Sequence, residues 1–174
     1  MRRRWLLLVS IVIVVLIIDQ ISKQWVIDRM VLYQTIEPIP ALVPFFQLTY
    51  SQNTGAAFGF LPQAGDIFLI IAVVVVIGMF YFYPRVPDNG QLTRIAIGLI
   101  CGGALGNALD RLQHGHVVDF IHYQIPGLIS NVSNLADHAI VLGVILIFIE
   151  SWLHDRQQKM NRQAAVSTDA SDEA

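Results

Sequence analysis

A chain of 174 residues with 55% hydrophobic and only 14% charged side chains lacks the polar surface of a soluble domain, and reads as a single-domain membrane protein. Its formal net charge of −2, with basic residues scattered rather than gathered into a stripe, gives no footing for a nucleic-acid partner. The lone Cys101 rules out a disulfide frame or a thiolate cage, and its position inside an apolar run reads as packing.

In chain order, Met1-Arg-Arg-Arg4 followed by Trp5 to Ile18 has the makings of a signal peptide, but no small-residue cleavage site follows. The apolar run continues to Val26, long enough for a retained span over residues 5–26 with Trp25 at the interface. Three further runs, 67–83, 95–112 and 136–152, approach the ~20 residues needed to cross the hydrocarbon core. Between the first two spans, Phe45 to Tyr50 alternates as a short surface strand does. The expected fold is therefore an all-α membrane protein of four transmembrane helices with a small extracytoplasmic β element. Residues 1–155 make up the membrane domain, and 156–174 are expected to be a disordered cytoplasmic tail, having too little apolar surface to order themselves.

Of the eleven Lys and Arg residues, eight lie at Arg2, Arg3, Arg4, Arg85, Arg94, Arg156, Lys159 and Arg162. The positive-inside rule makes these segments cytoplasmic, with both termini inside and the two long connections outside.

Charges inside spans cost about 2.5–3.5 kcal/mol each on insertion scales, so each one needs a partner or a task. Asp19 and Lys23 stand four apart on the first span and face each other. They read first as a neutralising pair with Lys23 snorkelling outward, and second as a contact for a polar ligand. Gly98, Gly102 and Gly106 clear a groove where another helix approaches closely. The same span ends with Asn107, Asp110 and Arg111, either an interface salt bridge or a hydrogen-bonded network inside the bundle. Asp119 sits among apolar neighbours in Val117-Val-Asp-Phe-Ile121, and Asp137 opens the fourth span with Asn134 available as its cap. Taken alone, each has a structural explanation. Taken together, they lie on one side of the membrane at one end of the bundle. Two neighbouring carboxyls cannot both ionise cheaply, so such a pair keeps a proton and supplies an acid and a base at once. That chemistry hydrolyses a peptide without a metal or cofactor.

Asp19-x-x-x-Lys23, Asn53-Thr-Gly-Ala-Ala-Phe58, Gly102-Gly-Ala-Leu-Gly-Asn-x-x-Asp-Arg111, Val118-Asp-Phe-Ile121 and Asn134-x-Ala-Asp137 occur in that order along nearly the whole chain. In this the sequence resembles the bacterial lipoprotein signal peptidases, also called signal peptidase II or prolipoprotein signal peptidase. The resemblance implies an aspartyl endopeptidase of the inner membrane with Asp119 and Asp137 as its catalytic pair. Asn53, Asn107, Asp110, Arg111 and Asn134 would then form the polar shell, with Asp19, Lys23, Gly55 and Ala56 in support. It also implies prolipoprotein substrates already carrying diacylglycerol on a cysteine, cut just before that cysteine, with membrane lipid as the other partner and a monomer as the working state. Ser133 departs from the phenylalanine expected before Asn134, and His138 from the small or aliphatic residue expected after Asp137.

Two other readings compete. Asp19, Asp110, Asp119 and Asp137 would mark an ion path in a proton-coupled or ion-coupled transporter, although four spans without internal symmetry make a poor one. His114, His116, His122 and His138 would serve a metallohydrolase, although the H-E-x-x-H helix pattern is missing.

Overall fold

A computed structural model describes the backbone of residues 2–55 and 64–172 and the side-chain surroundings of 2–55 and 65–161. Four long helices form the protein: α1 (Arg2–Arg29), α2 (Ala64–Phe82), α3 (Gln91–His114) and α4 (Leu135–Asp172). All four are long and apolar enough to cross a membrane. Each expected span coincides with one of them, the second running one residue past α2 into a 3₁₀ turn at Tyr83–Arg85.

α3 is the central helix and packs against α1, α2 and α4. Its glycines show why. A Cβ at Gly98 would meet Ile11, one at Gly102 would meet Val15, and one at Gly106 would come within 2.5 Å of Asp19 Oδ2. Residues four apart on one helix thus meet residues four apart on the other, so α1 and α3 run parallel at close range. On the opposite face of α3, Gly103 lies under the Ala136 carbonyl, and Gly143 of α4 packs on Ala96 and Ile100. α2 leans mainly on α3, and its Ile70, Val74 and Ile77 stay exposed, as lipid-facing side chains do. Cys101 is fully buried in an apolar cluster with Leu8, Tyr83, Val86 and Ile97.

The β element is larger than expected, a four-stranded antiparallel sheet in the order β1 (Thr35–Ile36), β2 (Phe46–Asn53), β3 (Val117–Ile125) and β4 (Ile129–Ser133). The strand expected near Phe45 to Tyr50 is β2. β3 gives no strand signal in the sequence because Val117 to Ile121 is buried throughout and shows no alternation, and β4 is short and mostly exposed. The pairing of β2 with β3 brings both long connections to the same end of the bundle. There Val118, Phe120, Ile121 and Tyr50 pack on Val26 of α1 and on Met30 just past its end. Gly115, with φ of 75°, closes α3 by donating its N–H to the Arg111 carbonyl at 3.0 Å, and the chain turns directly into β3.

At the C-terminus α4 runs past its apolar segment to Asp172. No Gly or Pro interrupts the chain after Gly143, and Gln157 donates to Asn161 one turn on at 3.1 Å, so the local helix preference carries past the apolar segment.

Candidate active site

β3 carries Asp119 into the space between sheet and bundle, where it is only 2% exposed. A one-residue bulge in β2 between Leu48 and Ser51 sets Ser51 opposite Asp119 and Asn53 opposite Val117. Asn53 is thus a diagonal neighbour of Asp119, and its Nδ2 donates to Asp119 Oδ2 at 2.9 Å. Its own Oδ1 accepts the Gly55 N–H at 2.8 Å, a turn that requires the φ of 80° which glycine adopts freely. Asn134 Nδ2 donates to the other carboxylate oxygen of Asp119 at 2.6 Å. Burial pushes the Asp119 carboxyl up to about 6. The Asp137 charge acts in the same direction, while the two amide hydrogen bonds and Lys23 oppose it.

Asp137 is the third residue of α4. Asn134 caps that helix, its Oδ1 accepting the Asp137 N–H at 3.0 Å, while Asp19 Oδ1 accepts the Ala136 N–H at 3.0 Å. The Asp137 carboxylate in turn accepts from Asn107 Nδ2 at 2.7 Å. Asn107 Oδ1 receives Asn134 Nδ2 at 3.2 Å and Lys23 Nζ at 3.0 Å. Only one orientation of the Asn107 amide fits, with oxygen toward the ammonium and nitrogen toward the carboxylate.

Lys23 does not snorkel. It is 2% exposed, and its ammonium meets Asp19 Oδ2 and Asp110 Oδ2 at 2.8 Å each besides Asn107. Its three N–H groups are therefore all engaged. Asp110 also accepts the Val118 N–H at 3.0 Å and Gln20 Nε2 at 2.9 Å, which ties α1, α3 and β3 together. The Asp110–Arg111 salt bridge suggested by adjacency does not form, because consecutive helix residues point apart. Arg111 instead donates to the Asn107 carbonyl at 3.2 Å, lies 5.3 Å from the Phe68 ring centroid, and has a buried Nε with no partner among the described residues.

A cavity of about 530 Å³ opens beside these groups between α2, α3 and α4. Asn53, Asn107, Arg111 and Asp137 form its polar end, and its walls are apolar, including Phe68, Ile71, Val75 and Ile140. Such a space accepts an apolar chain with one polar linkage against the carboxylates.

The sequence-derived residues Asp19, Lys23, Asn53, Gly55, Asn107, Asp110, Arg111, Asp119, Asn134 and Asp137 thus meet in one network or along this cavity. Ala56 lies outside the described residues. Gln20 and Phe68 were missed. Gln20 bridges Asp19 and Asp110 but carries no charge to draw attention inside a span, and Phe68 looks like any lipid-facing aromatic. The four histidines do not converge. His122 hydrogen-bonds Thr49 and Ser130, His138 bonds the Asn134 carbonyl and Tyr123, and His114 pairs only with His116. Among the described residues no three His, Cys, Asp or Glu side chains are grouped to hold a metal.

Residues 11–153 match the family model described as Signal peptidase (SPase) II. The lipoprotein signal peptidase of Photorhabdus laumondii is 42% identical over 154 residues, covering 86% of this chain and 88% of that one. That of Halothermothrix orenii is 38% identical over 146 residues, covering 84% and 95%. A solved bacterial membrane enzyme structure superposes with a TM-score of 0.75 at 36% identity, covering 87% of this chain and 90% of the other.

Proposed function

The chain belongs to the signal peptidase II family, whose activity is removal of signal peptides from prolipoproteins, and we propose that Asp119 and Asp137 are its catalytic pair. The observation that carries this reading is that, among the described residues, the side chains hydrogen-bonded to both carboxylates are asparagine amides: Asn53 and Asn134 on Asp119, Asn107 on Asp137. Amides orient carboxylates without supplying the positive charge that would fix both as ions. One carboxyl, ionised, takes a proton from a water molecule as its oxygen attacks the scissile carbonyl carbon. The other, protonated, donates a hydrogen bond to the carbonyl oxygen. When the tetrahedral species collapses, the C–N bond breaks and a proton passes to the leaving nitrogen.

Arg111 and Asn107 bind and orient the substrate backbone at the cavity mouth, while the apolar walls from α2, α3 and α4 receive lipid-like chains. This arrangement suits a substrate with diacylglycerol on a cysteine, cut just before that residue. The basic residues at Arg2, Arg3, Arg4, Arg85 and Arg94 lie away from the sheet end, which supports an inner-membrane orientation with cytoplasmic termini and an extracytoplasmic site. Each chain carries a full set of these residues, so a monomer suffices. The relatives reported above are peptidases, and the transporter reading finds no support among them.

Replacing Asp119 or Asp137 by Asn tests the assignment. Purified variants that remain folded should cleave a diacylglyceryl prolipoprotein about 10²–10⁴-fold more slowly than wild type. Processing at the wild-type rate by both variants would remove the pair from the chemistry.

A further inference from the structure

A second cleft, of about 340 Å³, touches the same carboxylate from the other side. It shares Asn53 and Asp137 with the large cavity, but the rest of its lining is the sheet and the first turns of α4, including Tyr123, Asn131, Ser133 and His138. The large cavity is mostly apolar away from the carboxylates, whereas this cleft sets hydroxyl, amide and imidazole groups among its apolar side chains Val132 and Val141. Any chain lying across Asp137 therefore passes from an apolar space into one with more polar groups to meet it.

Three observations give the cleft the character of a binding site. First, among the described residues β4 is an edge strand paired with β3 alone, so its other side presents backbone N–H and C=O groups that no described strand takes up. An extended peptide is the natural ligand of such an edge. Second, His138 is fixed at both ring nitrogens, Nδ1 to the Asn134 carbonyl at 2.6 Å and Nε2 to the Tyr123 hydroxyl at 3.0 Å. The carbonyl only accepts, so Nδ1 carries the hydrogen, and Nε2 accepts from the tyrosine. This strut joins β3 to α4 and gives the cleft a rigid wall. Third, Ser133, 8% exposed, lines the cleft with a buried Oγ that has no partner among the described residues. Unsatisfied buried hydroxyls are uncommon unless something else bonds them.

We propose that this cleft and the free edge of β4 form a second substrate subsite, which takes the polar peptide segment on the mature side of the scissile bond and reads it through Tyr123, Asn131, Ser133 and His138. The inference rests on the peptidase reading given above and adds to it which surface discriminates among substrates. Apolar signal segment and lipid lie on the cavity side of Asp137, and the mature chain leaves over the sheet.

The test compares two synthetic diacylglyceryl-cysteine prolipoprotein peptides with the full-length enzyme, one ending a single residue past the cysteine and one extended by several polar residues. The quantity read is the ratio of kcat/KM for the long over the short peptide, in which general damage to the site cancels. For wild type the ratio should exceed one, and it should fall about fivefold in Asn131→Ala and His138→Ala, with a smaller fall in Tyr123→Phe. The fall should lie mainly in KM for the long peptide. Asn131 is exposed, so its variant keeps the test open if His138→Ala does not fold. A wild-type ratio of one, or a ratio unchanged in Asn131→Ala and Tyr123→Phe, overturns the subsite. Failure of the wild type to cleave either peptide overturns the peptidase reading itself, which is visible before any variant is made.

Discussion

Four buried or half-buried acids crowd one end of this bundle, and they fall into two neighbourhoods. Asp19 and Asp110 share the Lys23 ammonium at 2.8 Å each and cap backbone N–H groups of α4 and β3. Asp119 and Asp137 have amide donors but, among the described residues, no salt bridge. Asn107 joins the two halves, its oxygen on Lys23 and its nitrogen on Asp137. The same side chain thus serves as a structural anchor where a cation is bonded to it, and stands ready for chemistry where amides hold it. Sequence distance does not separate these roles, since Asp110 and Asp119 are nine residues apart. The counter-ion does.

The comparison breaks most readily at Lys23. Lys23→Met would leave Asp19 and Asp110 buried without their cation, and removing one partner of a buried ion group costs about 3–5 kcal/mol. The folded protein should fail to accumulate, or melt far below wild type in detergent. A variant of wild-type stability would mean that the lysine half is not structural.

Next in size is a difference in the pH dependence of stability. The Asp119 carboxyl rises from an ordinary 3.8 to about 6 on folding. Between those values the folded protein holds a proton that the unfolded chain has released, so stability falls as pH rises through this window and the loss is complete above about pH 6. Asp119→Asn removes the effect. Wild type should lose roughly 2–3 kcal/mol relative to this variant between pH 4 and pH 7, measured as the difference of their melting curves. Parallel curves would show that Asp119 is ionised as easily as a surface acid.

Two glycines sharpen the contrast at smaller scale. Gly106→Ala sets a methyl 2.5 Å from Asp19 Oδ2, pushing on the lysine half, and should cost about 1–3 kcal/mol of stability. Gly55→Ala acts on the other half, straining the turn at φ of 80° that aims Asn53 at Asp119. It should cost about 1 kcal/mol while lowering cleavage more than its stability effect explains, as activity measured well below the melting temperature would reveal.

Much of this arrangement was legible in the sequence. Apolar length exposed the four helices, and the Gly98, Gly102, Gly106 row exposed the close approach of α1, because both are local and periodic signals. The residues of the candidate site stood out as polar groups where lipid or packing would exclude them. What the sequence hid was long-range. Which acid meets Lys23 depends on α1 lying parallel to α3, and Asp110 rather than Arg111 turns toward it. β3 was masked because a strand buried on both faces has no alternation, and Gln20 because a neutral side chain in a span raises no electrostatic question. The helical continuation of α4 beyond residue 155 follows the uninterrupted helix-forming run from Arg156 to Asn161.

The shared proton is the point on which the account turns, and infrared spectroscopy of the protonated carboxyl stretch reads it directly. Spectra of wild type minus Asp119→Asn, taken from pH 4 to pH 8 in detergent, should show a protonated carboxyl that persists at pH 5, ionises near pH 6 and is missing from the variant. A carboxyl already ionised at pH 5, as an ordinary aspartate is, would contradict it.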